Sequence, residues 1–381
     1  MKKRVKSLYF IFLSILMYIF RVFPIKNNRI IISNFDGMGY GDSLKYIHKS
    51  LSKFSHDIEF VWIVSSSLEM IPSGIKKVKR RSLKSLFYLS TSKIWLDNVR
   101  KEEWVRKRKN QIYIQLWHGC LAIKKIEGQC ESVLNNDYVK KAKHDSEMID
   151  LMISNSDFST DLFSNYFWYD GIVENLGSPR LDSLWIDYEK IISIKKELKI
   201  PIDKDVIFYS PTFRDKIDLN DYMLNFDLIR KEFEKKFKKS MIIIIKLHPN
   251  LRHCITLSKL PIDVLDFTNY SDVYNLMAVS DYIISDYSSL LLEFPIAKTK
   301  PAFIYAKDYY DYNRSFNFDL RNICFPFSST EGELLHNIMI FDYEQYKERV
   351  KSFYESIKLN EDGNSSIKVA SKILELLEVK K

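Results

Sequence analysis

Met241-Ile-Ile-Ile-Ile-Lys246-Leu247-His248-Pro249-Asn250 contains a run of isoleucines too short for a helix of ordinary length and too β-branched to favour one. Apolar on both faces, the run reads as a strand buried inside a parallel sheet. Lys246, Leu247, His248 and Asn250 then fall at or just past its carboxyl end, where open α/β sheets keep their ligands. Further on, Asp281-Tyr-Ile-Ile-Ser285-Asp286-Tyr287-Ser288-Ser289 leads into an apolar run ending at Glu293. Residues 282–285 read as a second strand, and Asp286, Ser288 and Ser289 as a turn and helix cap. Free N–H groups, a favourable dipole and two hydroxyls at such a helix start suit an anion. The two strand ends together look like a phosphate site faced by a histidine.

The same alternation of strand and helix extends in both directions. Strands are expected at 29–33, 60–64, 93–96, 113–117, 151–154 and 173–176, and again at 206–210, 264–266 and 301–305. Helices are expected between them, with a final one capped by Asp362-Gly-Asn-Ser-Ser366 and running to Val379. This pattern predicts an α/β chain of two Rossmann-like, doubly wound domains, which the length of 381 residues accommodates. The expected divisions are 1–24, a hydrophobic N-terminal helix; 25–186, a first domain; and 187–381, a second domain that includes the terminal helix. The strand at 113–117 also ends on a histidine, His118, with Gly119 allowing close backbone approach. The glycines of Gly37-Met-Gly39-Tyr-Gly41-Asp42 depart from dinucleotide-binding spacing.

A hydrophobic content of 46% supports full cores, and only 10 glycines and 10 prolines argue for regular structure over linkers. Cys120, Cys130, Cys254 and Cys324 lack metal-ligand spacing and fit free thiols of a reducing cytosol. The net charge of +9 is concentrated early, in Lys2-Lys3-Arg4, residues 76–84 and 100–109, and Lys124-Lys125. Such a surface points to an anionic partner. No nucleic-acid motif accompanies it, so an anionic membrane surface or a polyanionic substrate is expected instead. Residues 8–20 are apolar save Ser14. They fall short of the roughly 20 residues a membrane span needs. The expected arrangement is a peripheral helix lying in the cytoplasmic face of the cell membrane, its lysines toward anionic lipid. The other reading is a core helix of the first domain.

Seven short motifs occur in order along the chain: Gly39-Tyr-Gly-Asp-Ser-Leu-Lys-Tyr-Ile47, Leu116-Trp-His-Gly119, Gly177-Ser-Pro-Arg-Leu-Asp182, Tyr209-Ser-Pro-Thr-Phe-Arg-Asp215, Lys246-Leu-His-Pro249, Ser285-Asp-Tyr-Ser-Ser289 and Asp362-Gly-Asn-Ser-Ser366. With these, the chain resembles the CDP-glycerol glycerophosphotransferase family, the teichoic acid primases and polymerases of GT-B architecture. Cys120-Leu-Ala-Ile-Lys-Lys125 and Ser43-Leu44 depart from the family pattern, both near the expected acceptor side. The resemblance implies transfer of glycerol phosphate or ribitol phosphate from a CDP-polyol donor to a hydroxyl of a lipid-linked polyol-phosphate or glycan acceptor. CMP is released, in teichoic acid or capsular polymer synthesis. The first domain would hold the acceptor and the second the donor.

In that reading His118 is the base, because an imidazole titrates near neutral pH. His248 contacts the pyrophosphate and stabilises or protonates the leaving CMP. Ser288 and Ser289 take phosphate oxygens, Arg180 and Arg214 clamp phosphate, and Glu293 accepts from a donor hydroxyl. Gly119, Ala122, Pro211, Thr212, Lys246, Leu247, Ser285 and Asp286 complete the donor-binding set. No protein metal site is expected, because Asp286 has no second carboxylate at ligand spacing. Mg²⁺ on the donor pyrophosphate is compatible with the chemistry. The rival readings are a GT-B glycosyltransferase using a nucleotide sugar and an inactive polymer-binding protein of the same fold.

Overall fold

The computed structural model describes residues 2–66, 71–214, 222–247, 263–312 and 314–378. They form two compact units. One gathers Met1–Cys120, Ile126–Asp182 and Asn360–Lys381; the other gathers Leu121–Lys125 and Ser183–Leu359.

In chain order the first unit holds α1 (Lys2–Ile19), β1 (Lys26–Ser33), α2 (Asp42–Phe54), β2 (Glu59–Val64), β3 (Lys76–Lys79), α3 (Leu83–Thr91), β4 (Ser92–Asp97), β5 (Ile112–Gln115), α4 (Asn136–Ser146), β6 (Leu151–Ser154), α5 (Asp157–Tyr166) and β7 (Ile172–Asn175). Its parallel sheet runs β3-β2-β1-β4-β5-β6-β7 among the described residues. β1 sits centrally because Ile30, Ile31 and Ile32 are apolar on both faces; Ile31 pairs with Val61 on one side and Trp95 on the other.

The second unit holds α6 (Tyr188–Glu197), β8 (Asp205–Tyr209), α7 (Phe226–Phe237), β9 (Met241–Ile245), β10 (Val264–Asp266), α8 (Val273–Val279), β11 (Tyr282–Ser285), α9 (Leu290–Glu293), β12 (Ala302–Tyr305), β13 (Phe327–Ser328), α10 (Glu331–Met339) and α11 (Tyr343–Ser356). Its parallel sheet runs β10-β9-β8-β11-β12-β13. The isoleucines of β9 are all buried, with Ile243 between Ile207 of β8 and Val264 of β10. In each sheet the strand order reverses beside the unit's first strand, between β1 and β4 and between β8 and β11. The loops leaving those strands diverge there and open a crevice at the carboxyl edge.

The structure departs from the sequence expectations in three places. The last helix, α12 (Ser365–Glu378), belongs to the first unit rather than the second. Its Val369, Ala370 and Ile373 pack against Leu44, Ile47 and Leu51 of α2. The basic cluster at 76–84 is partly the edge strand β3, whose exposed lysines discourage pairing with another chain. β13, α10 and α11 were not anticipated, although Thr330 and Glu333 form a capping box that marks the start of α10.

The helix α1 uses two faces differently. Leu13 and Met17 are buried, Ser14 Oγ donates to the Trp104 carbonyl at 2.8 Å, and Ser90 Oγ donates to the Met17 carbonyl at 3.2 Å. Leu8, Ile11, Phe12, Ile15, Tyr18 and Ile19 form an apolar stripe at helical spacing that stays exposed. Among the described residues no helix is long and apolar enough to cross a membrane.

Inside α2, His48 packs edge-on against Phe60 at 4.6 Å, with Tyr40 Oη 2.8 Å from its Nδ1. Burial, aided by Lys49, pushes its pKa down to about 4 from 6.5. The unfolded chain therefore takes up this proton before the folded one does. The resulting stabilisation is complete above pH 6.5 and is lost as the pH falls through 4; it amounts to about 3 kcal/mol at most. We expect the melting temperature of the wild type to drop more steeply than that of His48→Gln between pH 7.5 and pH 4.5, roughly the window that linkage defines. Parallel curves would refute this.

Candidate active site

In the first unit, β1 runs into the loop 34–42, where Phe35, Asp36 and Asp42 all take positive φ. Gly37, at φ +101°, lies so close to β2 that a Cβ would sit 2.7 Å from Ser65 N. The turn after β4 ends on Asn98, which joins the two loops. Its Nδ2 donates to Asn34 Oδ1 at 3.0 Å, and its Oδ1 accepts from Phe35 N at 2.8 Å. After β5 the chain turns through Trp117, at φ 49°, and places His118 Nδ1 2.8 Å from the Asn98 carbonyl oxygen.

A carbonyl only accepts, so Nδ1 carries the hydrogen and the neutral ring keeps its lone pair on Nε2. Desolvation lowers the His118 pKa from 6.5, against the hydrogen bond to Asn98 and the charge of Asp42, while Arg180 adds to the lowering. The side chain is nonetheless exposed, so water screens part of the burial effect. At neutral pH the imidazole is a base with a fixed tautomer. Gly119 follows it, half-buried.

Arg180, expected as a phosphate clamp, is 1% exposed and places Nη1 3.2 Å from Asp42 Oδ2. It ties the turn Pro179–Leu184 to the start of α2. The neighbouring motif residues hold α12. Asp182 accepts from Ser365 N at 2.9 Å and Ser366 N at 2.7 Å. Glu361 accepts from Ser178 N and Asn155 Nδ2, each at 2.8 Å. Gly177, at φ +86°, passes so close that a Cβ would meet Ser365 Oγ at 2.0 Å. Two of the seven motifs thus form a clasp, with the helix cap supplied by Asp182.

In the second unit, side chains join the ends of β8, β9 and β11. Ser285 Oγ donates to the Ser210 carbonyl, and Ser210 Oγ to the Lys246 carbonyl at 3.2 Å. Thr212 N donates to both Asp286 oxygens, at 2.9 and 3.1 Å. Arg214 is held at every edge: Nε and Nη2 fork onto Asp308 at 2.7 and 2.9 Å, and Nη1 lies 2.7 Å from Asp286 Oδ2 and from Thr212 Oγ1. Its guanidinium stands 4.9 Å from the Tyr287 ring, and Tyr287 donates to Asp308 at 3.0 Å. Burial alone would raise the Asp308 pKa, but the hydrogen bonds and charge of Arg214 outweigh it and hold the carboxyl below 3.8. The expected phosphate clamp is therefore an ion-pair hub, and Asp286 fastens the loop after β8 instead of capping a helix.

The remaining expected donor residues are spread around this crevice. α9 is only four residues long, and Ser288 Oγ accepts from Leu290 N at 3.3 Å. Ser289 is half-exposed and makes no side-chain hydrogen bond to a described residue. Glu293 is 1% exposed and accepts from Tyr274 Oη at 2.9 Å, so it faces the core. Pro211 and Leu247 are buried; Leu247 N donates to Thr268 Oγ1 at 3.1 Å, and Lys246 Nζ donates to the Tyr270 carbonyl. The Ala122 carbonyl accepts from Asn317 Nδ2 at 3.0 Å, within the short segment that passes into this unit. His248 lies outside the described residues. Asn98, Asp42, Asp308 and Tyr287 were not anticipated as parts of the site. Asp42 and Tyr287 do lie within two of the quoted motifs, and Asp308 opens the acidic, aromatic stretch Asp308-Tyr-Tyr-Asp-Tyr312. Among the described residues no group of three or more His, Cys, Asp or Glu side chains could hold a metal.

Residues 15–375 match the family model described as CDP-Glycerol:Poly(glycerophosphate) glycerophosphotransferase. The chain belongs to this family. It is 28% identical over 382 residues to a teichoic acid poly(glycerol phosphate) polymerase of Bacillus spizizenii, covering 95% of each chain. It is 28% identical over 361 residues to the protein of the same description from Staphylococcus epidermidis, covering 90% of this chain and 50% of that one. The chain thus spans about half the length of one of these relatives and nearly all of the other. The wall teichoic acid polymerase TagF superposes with a TM-score of 0.84 at 26% identity, covering 99% of this chain and 96% of that one. This family member therefore has the two-domain α/β, GT-B-like fold.

Proposed function

We propose that this glycerophosphotransferase moves glycerol phosphate or ribitol phosphate from a CDP-activated donor to a hydroxyl of a membrane-linked acceptor, in teichoic acid or capsular polymer synthesis. The observation that carries the reading is the His118–Asn98 hydrogen bond at the switch point of the first unit. The acceptor O–H gives its proton to His118 Nε2 as its oxygen bonds to the polyol-linked phosphorus. The bond from that phosphorus to the bridging oxygen breaks, and CMP leaves. His248 meets the donor pyrophosphate and stabilises or protonates CMP. Thr212, Ser288, Ser289 and Lys246 border the donor, with Ala122, Pro211, Leu247 and Ser285 shaping its pocket. Arg214 and Asp286 keep the loop after β8 in place. A variant of the relative TagF has been soaked with CDPG, which supports a CDP-glycerol donor here. A Mg²⁺ ion, were one used, would ride on the donor pyrophosphate and offset its charge.

The deciding experiment is CMP release by the purified chain given CDP-glycerol or CDP-ribitol with a lipid-linked glycerol-phosphate acceptor. Acceptor-dependent CMP from one donor supports the transfer and names the polyol. No CMP from either, with a control enzyme active on the same acceptor, refutes it in favour of a nucleotide-sugar donor or an inactive binder.

For location, we propose that the exposed stripe of α1 lies in the cytoplasmic face of the membrane, with the basic first unit toward anionic lipid. Deleting residues 1–24 is then expected to shift most of the protein from the membrane pellet to the supernatant. Continued pelleting would move the anchor elsewhere.

A further inference from the structure

Behind His118 the first unit buries a charged network that the transfer chemistry does not itself use. Arg100 is 5% exposed, and each of its N–H groups has an acceptor. Nε and Nη2 reach Glu127 Oε2 at 3.2 and 2.8 Å; Nη1 reaches Asp145 Oδ2 at 3.3 Å and Ser146 Oγ at 2.8 Å; Nη2 also reaches the Phe167 carbonyl at 3.3 Å. The guanidinium lies 5.4 Å from the Trp117 ring and 4.9 Å from the Phe167 ring. Trp117 in turn packs on the imidazole of His118, with centroids 4.3 Å apart.

A second chain of contacts reaches the same turn through the backbone. Asp145 Oδ1 accepts from Tyr113 Oη at 3.1 Å, Tyr113 Oη accepts from Gln115 Nε2 at 2.8 Å, and Gln115 Oε1 accepts from Trp117 N at 3.0 Å. That last bond holds Trp117 in its left-handed conformation, which L-residues disfavour. Arg100 also lies two residues beyond Asn98, whose carbonyl sets the His118 tautomer. A buried ion network contributes little net stability, because desolvating the charges offsets their attraction; what it can supply is fixed geometry.

We propose that Arg100, Glu127 and Trp117 are positioning residues for His118, a buried clamp that fixes the imidazole's orientation and tautomer from behind. This rests on the reading of His118 as the base. All three side chains are buried. Loosening the clamp leaves a histidine that still titrates but samples orientations unfit for proton transfer, and misplacement of that kind lowers turnover more than binding.

The test uses full-length protein labelled with ¹⁵N-histidine, in which the His118 resonances are assigned by their loss in His118→Asn. Long-range ¹H–¹⁵N spectra report the tautomer and the titration midpoint without substrate. In Trp117→Phe and Glu127→Gln we expect a mixture of tautomers and a displaced midpoint. We also expect kcat about 10–100-fold lower, with the donor KM changed by less than about twofold. If Glu127→Gln loses its melting transition, Trp117→Phe decides alone, because it keeps a ring in the same place. Folded variants whose His118 tautomer, midpoint and kcat match the wild type would overturn the proposal and leave the network a structural one. If the wild type releases no CMP from any CDP-polyol, the transfer reading fails, while the spectra still decide whether the clamp holds the ring.

Discussion

His118→Asn is expected to cut acceptor-dependent CMP release by roughly 10³-fold, within the span attributed to general-base catalysis. Asparagine keeps a polar side chain of similar reach but has no basic lone pair to take the acceptor proton. Donor affinity should be nearly unchanged, because the residues assigned to donor binding lie mostly in the second unit. The pH dependence adds an independent check. The His118 pKa is lowered below 6.5, so kcat/KM of the wild type should fall only when the pH drops below that value, as the imidazole gains its proton. The variant should lack that limb. An asparagine variant retaining more than about a tenth of wild-type turnover would remove His118 from the chemistry.

Arg214→Ala is expected to be the most destabilising single substitution at the second crevice. It strips the counter-charge from Asp286, whose side chain is 2% exposed, and from Asp308, at 28%. Leaving a buried carboxylate unpaired costs about 3–4 kcal/mol, most of it at Asp286 because water screens Asp308. The melting transition should fall by on the order of 10 °C at pH 7. The sign with pH follows from Asp308, whose folded pKa lies below the ordinary 3.8. Its share of the stabilisation is present above that value and lost as the pH falls through the folded pKa, so wild type and variant should converge in acid. CMP release should also be lost, since Thr212 and the loop after β8 are no longer fastened to Asp286. A variant that melts like the wild type at neutral pH would show that Arg214 is not the hub described.

Much of the fold was legible in the chain because buried parallel strands are written as β-branched runs. The isoleucines of β1 and β9 mark interior strands of both sheets. Placing His118 and the Ser285–Ser289 motif at strand ends followed from the same reading. The burial of Glu293 was hidden for a local reason: helical spacing puts it one turn past Ser289, but spacing does not say which face of so short a helix is buried. The carboxylate partners of Arg180 and Arg214 were hidden for a long-range one. Arginine as a residue type suits phosphate, yet Asp42 and Asp308 already hold these two, and Asp308 lies 94 residues along the chain from Arg214.

The sequence alone determined the class of fold, the two sheets, the strand ends that bear the motifs and the family. Each of these is set by short-range patterns of polarity, branching and spacing. Only the tertiary structure decided what each polar group does once placed. It gave α12 to the first unit, made Asp182 its cap, engaged Arg214 with two carboxylates and set the tautomer of His118 through the Asn98 carbonyl. Those outcomes depend on which donors and acceptors meet across loops far apart in the chain. That pairing is set by the requirement that buried polar groups be satisfied, and it leaves no local trace in the sequence.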